Sequence, residues 1–224
     1  EALAPVVLLT GQADPSGTPE GLALRARLLE AVGGVEPWAR LGGVALAGEV
    51  SYTGSERPVP VRLWRDLLGR RLRLEHTQGG VRTTVVVTPQ AGWSRAIQSV
   101  YDLPVEQWER TLFRERRQLV RVLRDLASDP RLESRRGVGG RLEVRSGEEL
   151  VCWIELDGLD RPARLGYSEP PGREALYVFD DWVDDLGYLW PSLVTQPNEG
   201  TRFRWSRFTP TEELNGSLFV RPAR

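Results

Sequence analysis

The side chains able to do chemistry in this chain are few and scattered. Its single histidine, His76, falls in an alternating stretch, and its single cysteine, Cys152, sits between Val151 and Trp153. A zinc site needs several such ligands at short spacing, and no CxxC or HExxH pattern is present. A general base needs an oriented partner and a nucleophile, and the setting of His76 suggests neither. Both residues read as packing, the histidine on a half-buried strand and the cysteine as a small hydrophobe. GxSxG, Walker-type and GxGxxG patterns are absent, and Gly137-Val138-Gly139-Gly140 lacks the strand–loop–helix setting of a phosphate loop. Asp180, Asp181, Asp184 and Asp185 form the densest cluster of potential ligands. Such carboxylates could bind calcium or magnesium, or flank a glycosidic bond. Yet the glycine and terminal Glu of a calcium loop are missing, and nothing in the spacing fixes a carboxylate separation, so a solvated turn is the simpler reading. The expectation is no catalytic residue, no metal and no cofactor.

The elements around these residues are mostly strands. Breaker pairs through Thr18-Pro19 predict an extended lead-in over residues 1–18. Thr18 as cap, Pro19 at the first helical position and Glu20 in the first turn then start a helix. Leu22, Ala26, Leu29 and Val32 give it an apolar stripe, and Gly33-Gly34 ends it. From Gly43 the period changes to two. Val44, Leu46, Val50 and Tyr52 share a face, followed by Val59, Val61 and Leu63, then Leu72 and Leu74. Gly79-Gly80 marks a hairpin into Val81, Thr83, Val85 and Val87. A long helix over about Pro104–Ala127 interrupts this meander, with Trp108, Leu112, Leu119, Leu123 and Leu126 on one side. Alternation resumes through Leu142, Leu150–Leu156, Ala163–Tyr167, Leu176–Phe179, Leu189–Thr195, Phe203–Phe208 and Leu218–Val220.

The predicted fold class is mainly β (α+β). A single curved antiparallel sheet of about eleven strands forms an unclosed barrel, and an N-terminal helix and one long inserted helix cover its concave side. No repeat or linker divides residues 19–224.

Composition narrows the function. The 224 residues are 40% hydrophobic and 27% charged, with a net charge of -1. That balance fits neither disorder nor a membrane-spanning helical protein, and it supplies no global field for nucleic acid. All 30 basic residues are arginine and there is no methionine, which reads as a coding bias before it reads as a binding code. A chain beginning Glu1-Ala2-Leu3-Ala4-Pro5 without Met is expected to have lost a leader, and export to the periplasm or cell envelope is the corresponding expectation.

Several short stretches resemble one family. The segment from Arg73-Leu74-Glu75 through Gly79-Gly80 to Thr88-Pro89-Gln90-Ala91-Gly92-Trp93, then Tyr177–Trp182 with Gly187–Pro191, and the close from Leu214 to Pro222 resemble the LolA/LolB-type lipoprotein carriers. The resemblance spans most of residues 19–222. It implies an unclosed barrel with helices over its concave side, enclosing an apolar cavity that shields acyl chains. Related members are envelope-stress sensors. Where those carriers have Asp-Gly in the first turn, this chain has Pro89-Gln90-Ala91.

Alternation and this resemblance give a candidate lining: Val44, Leu46, Leu63, Leu72, Leu74, Val85, Val87, Leu112, Ile154, Leu156, Val178, Phe203 and Trp205. Trp64, Trp93, Trp153 and Trp190 either wall the cavity or pack in the core. The expected partners are lipid or lipoprotein acyl chains, with envelope membrane proteins as a further candidate, bound by a monomer, with no nucleic acid. Two rivals stand beside this reading. One is a protein-interaction or regulatory module with a filled core, and the other is a hydrolase using the Asp180–Asp185 cluster.

Overall fold

The computed structural model describes residues 15–55 and 57–222. Most of the lead-in expected over 1–18 lies outside the described residues. Its last part, β1 (Ser16–Gly17), pairs in parallel with β8 (Leu132–Arg136). Helix α1 (Pro19–Ala31) starts as its sequence requires, with Thr18 Oγ1 accepting from the Gly21 N–H at 3.2 Å. The buried stripe, however, is Gly21, Leu24, Arg25, Leu28 and Leu29, rotated from the expected Leu22 and Ala26. Gly21 sets that rotation. A Cβ there would lie 2.1 Å from the Ser134 carbonyl oxygen, so only glycine lets α1 lie this close to β8. Helix α2 (Val35–Arg40) follows and buries Trp38, whose Nε1 donates to the Val32 carbonyl at 2.9 Å.

The first meander comprises β2 (Gly43–Tyr52), β3 (Val59–Asp66), β4 (Arg71–Gln78), β5 (Val81–Val87), β6 (Gly92–Ala96) and β7 (Ser99–Asp102). Each strand pairs antiparallel with the next. At the β4–β5 hairpin Gly79 and Gly80 have φ of 58° and 78°, the left-handed pair that matches the strand twist.

The expected single long helix is two. Helices α3 (Val105–Glu115) and α4 (Leu119–Ser128) are separated at Arg116–Gln118, where Gln118 adopts an extended backbone (φ -70°, ψ 141°). No proline or glycine marks the break. Side chains hold it instead: Arg117 lies 3.5 Å over the Phe113 ring and donates to the Phe113 carbonyl at 2.8 Å, while Gln118 Nε2 donates to Tyr177 Oη at 2.9 Å.

The second meander runs from β8 through β9 (Leu142–Ser146), β10 (Glu149–Leu156), β11 (Pro162–Glu169), β12 (Arg173–Asp185) and β13 (Tyr188–Gln196) to β14 (Thr201–Thr211). Strand β14 then pairs with β2 over the length of both, joining the two meanders. The result among the described residues is one curved, unclosed sheet of fourteen strands, with β1 at one edge and β7 at the other. The count exceeds the expected eleven because β1, β6, β7 and β8 are short pieces that alternation does not register. Leu218–Val220, expected as a strand, belongs instead to a 3-10 turn over Gly216–Phe219. This turn packs Phe219 with Trp93 and Val86 on the convex face.

Two apolar clusters fill the concave side. In the first, α1, α2 and α4 pack on β8–β12. In the second, β2–β5, β13 and β14 converge on Trp190, Trp205 and Phe208, and Trp108 and Leu112 of α3 lean against them.

Candidate functional site

Over the second cluster the sheet and helices do not close. Between the inner faces of β2, β3, β4, β12, β13 and β14 and the α3–α4 break lies a cavity of about 290 Å³. Its floor is aliphatic, with Leu46, Leu63, Leu72 and Leu74, and its wall is aromatic, with Tyr177, Phe179, Trp190, Phe203 and Trp205. Phe203 and Trp205 stack at 5.4 Å with their planes 8° apart, which presents one flat surface to the space. Wide apolar surface with a few polar groups is the usual make-up of a small-molecule site.

The charged groups lie where the sheet meets the helices. Arg65, on the inner face of β3, meets Glu115 of α3 at 3.0 Å. Burial pushes the Glu115 carboxyl above its ordinary range, against the pull of Arg65 and Arg121. Arg114 is clamped by Glu169 at 2.6 Å and by Glu199 at 2.9 Å. Burial acts to lower the Arg114 pKa, but these two carboxylates outweigh it and the guanidinium is held charged. Deeper in, Tyr177 Oη sits 3.2 Å from Tyr167 Oη, and burial raises the pKa of both phenols. Near neutral pH these phenols are neutral hydrogen-bonding groups.

Of the thirteen lining residues predicted from sequence, Leu46, Leu63, Leu72, Leu74, Phe203 and Trp205 border this space. Val44 and Val87 are fully buried beneath it, and Val85 is half-buried in the same cluster. Leu112 packs against that cluster from α3 and lines an adjoining cavity. Ile154 and Leu156 face inward but belong to the other cluster, where helices cover them. Val178 does not face inward. Its neighbours Tyr177 and Phe179 do, and with a side-chain period of two Val178 must project from the convex face. Because all four residues Leu176–Phe179 are apolar, alternation could not choose between the two faces. Trp190 alone of the four tryptophans considered borders the cavity. Trp64 and Trp93 pack on the convex face beneath the C-terminal turn, and Trp153 covers Gly166 with Arg141 stacked 4.0 Å above it. Arg65, Arg114 and Glu115 carried no sequence signal, being three charges among many.

The other chemical candidates lie apart from the cavity. His76 is half-buried on the inner face of β4, opposite Val61 and Thr83. Cys152 is fully buried, and burial pushes its thiol up to about 12. Asp180, Asp181, Asp184 and Asp185 are strung along β12, and Asp181 pairs with Arg204 at 3.1 Å. Among the described residues no three His, Cys, Asp or Glu side chains are grouped to hold a metal ion, and no helix is long and apolar enough to cross a membrane.

An unclosed sheet whose concave side carries helices and an apolar cavity defines the class of fold. Among solved structures, the chain is similar to a DUF1329 family protein from Desulfovibrio piger, with a TM-score of 0.51 and 12% identity over 91% of this chain and 98% of that one. At that identity the likeness is one of fold. No family model and no curated protein matches the sequence.

Proposed function

We propose that this protein binds the acyl chain of a lipid or lipoprotein in the cavity beneath α3, and acts in the cell envelope as a carrier or sensor without catalysis. The observation that carries the reading is the contrast between the floor and wall of the cavity, which are apolar, and the margin where the sheet meets the helices, which holds the charged pairs. A hydrocarbon entering such a space gains about 0.8 kcal/mol for each methylene removed from water. The envelope location rests on the resemblance to lipoprotein carriers. Organic extraction of the purified protein, followed by mass spectrometry, should recover a stoichiometric lipid. Leu74→Trp, which places an indole in the cavity, should abolish binding of a fluorescent acyl probe while leaving the fold intact by circular dichroism. Undiminished probe binding in that variant would rule the cavity out.

A second reading, a module that binds a partner protein, draws on the sheet edge at β7. Among the described residues that strand has no neighbour on its outer side, and Tyr101 and the hairpin residue Ile97 are exposed beside it. A lipid-free preparation that co-elutes with a partner through β7 would favour it.

A further inference from the structure

A second cavity, of about 310 Å³, adjoins the first across the Arg65–Glu115 pair, and both residues line both spaces. It is richer in charge. Arg65, Arg70 and Arg71 converge on it from β3, β4 and the turn between them, Arg116 from the α3–α4 break and Arg121 from α4. We propose that this second cavity binds an anionic group, a carboxylate or phosphate, carried by the same amphiphile whose hydrocarbon occupies the first. The proposal rests on the acyl-binding reading above and names the chemistry of the ligand's head.

The argument is one of charge balance. The carboxylates near these arginines are shared or already engaged. Asp66 accepts from the Leu68 and Gly69 N–H groups at 3.1 and 2.9 Å and from Arg71 Nε at 2.5 Å, so it is committed to its own turn. Glu149 serves both Arg116 and Arg117, and Asp125 serves both Arg121 and Arg124. Glu115 faces Arg65. Among the described residues, seven guanidinium groups therefore meet four carboxylates, an excess of three positive charges. Donors are left over among these groups: Arg117 and Arg124 each keep a buried Nε without a hydrogen-bond partner. Arg70, held at φ 53° at the end of the turn, makes no ion pair or hydrogen bond among the described residues. Arg65, whose side chain is only 12% exposed, keeps a buried Nε without a hydrogen-bond partner. An unpaired buried donor is costly in a folded protein, and it marks a place where an acceptor belongs. Guanidinium groups suit this task because their planar fork matches carboxylate and phosphate oxygens.

The test compares a long-chain fatty acid, the fatty alcohol of equal length and inorganic phosphate alone, measured by displacement of the acyl probe and by calorimetry at mildly alkaline pH. The acid should bind at least about tenfold tighter than the alcohol, and added salt should narrow the gap. Arg70→Gln with Arg116→Gln, both at accessible positions outside the core, should erase the preference without weakening the alcohol. Equal affinity of acid and alcohol would overturn the anion site while leaving the apolar cavity standing. Failure of both to bind would overturn the two readings together. Phosphate binding as tightly as the acid would show a site for free anions and overturn the amphiphile.

Discussion

The concave side of this sheet is covered in two ways. Over β8–β12, helices α1, α2 and α4 drive Leu28, Val32, Leu123 and Leu126 into a layer that includes Ile154, Leu165 and Tyr167, all nearly inaccessible to solvent. Over β2–β5, β13 and β14 the cover among the described residues is α3 and the start of α4. Helix α3 buries no residue fully; Trp108 and Leu112 lean on the sheet, and the ion pairs Arg114–Glu169, Arg114–Glu199 and Arg65–Glu115 fasten it. One half is sealed by packing, the other is roofed by ion pairs with space beneath. A packed layer is rigid and specific but leaves no room. A roof held by charge gives up burial and keeps a volume open.

This contrast can be broken most directly by cutting side chains. Leu126→Ala, in the sealed half, should destabilise the protein by about 2–5 kcal/mol in a denaturant titration. Leu74→Ala, whose side chain already borders empty space, should fall at or below the bottom of that range. Equal losses would mean that the two halves are packed alike. Hydrogen exchange sharpens the point: α3 amides should exchange at least about tenfold faster than α4 amides, because local opening of α3 exposes little apolar surface. Uniform protection would contradict the idea of a roof. The smallest effect concerns Glu115. Its carboxyl is raised in the folded state, chiefly by burial, above the ordinary value of 4.5. The sign follows from linkage: stability is fullest below the unfolded value and declines as pH rises through the folded one. Glu115→Gln should flatten that decline in melts taken from acid to neutral pH. A variant that loses stability with pH just as the parent does would show that Glu115 is not the group responsible.

Much of the fold was legible in the residues. The Thr18-Pro19 start of α1, the Gly79-Gly80 hairpin and the alternation through Leu46, Leu63, Leu72 and Leu74 each carry a local physical reason, and each appears where that reason puts it. The break between α3 and α4 has no such local reason. It depends on Gln118 reaching Tyr177 of β12 and on Arg117 pairing with Glu149 of β10, partners distant in sequence.

Residue order alone dictates strands with a period of two, where they turn, and that helices interrupt them, because turn chemistry and side-chain alternation act over a few residues. Folding in three dimensions settles which inward-facing residues meet helices and which meet open space, why Ile154 is covered while Leu74 is not, and that Tyr177 and not Val178 points inward. Those outcomes depend on how far each helix reaches across a curved sheet, and on the pairing of β14 with β2 that brings the chain's two halves together. No periodicity along the chain encodes that reach.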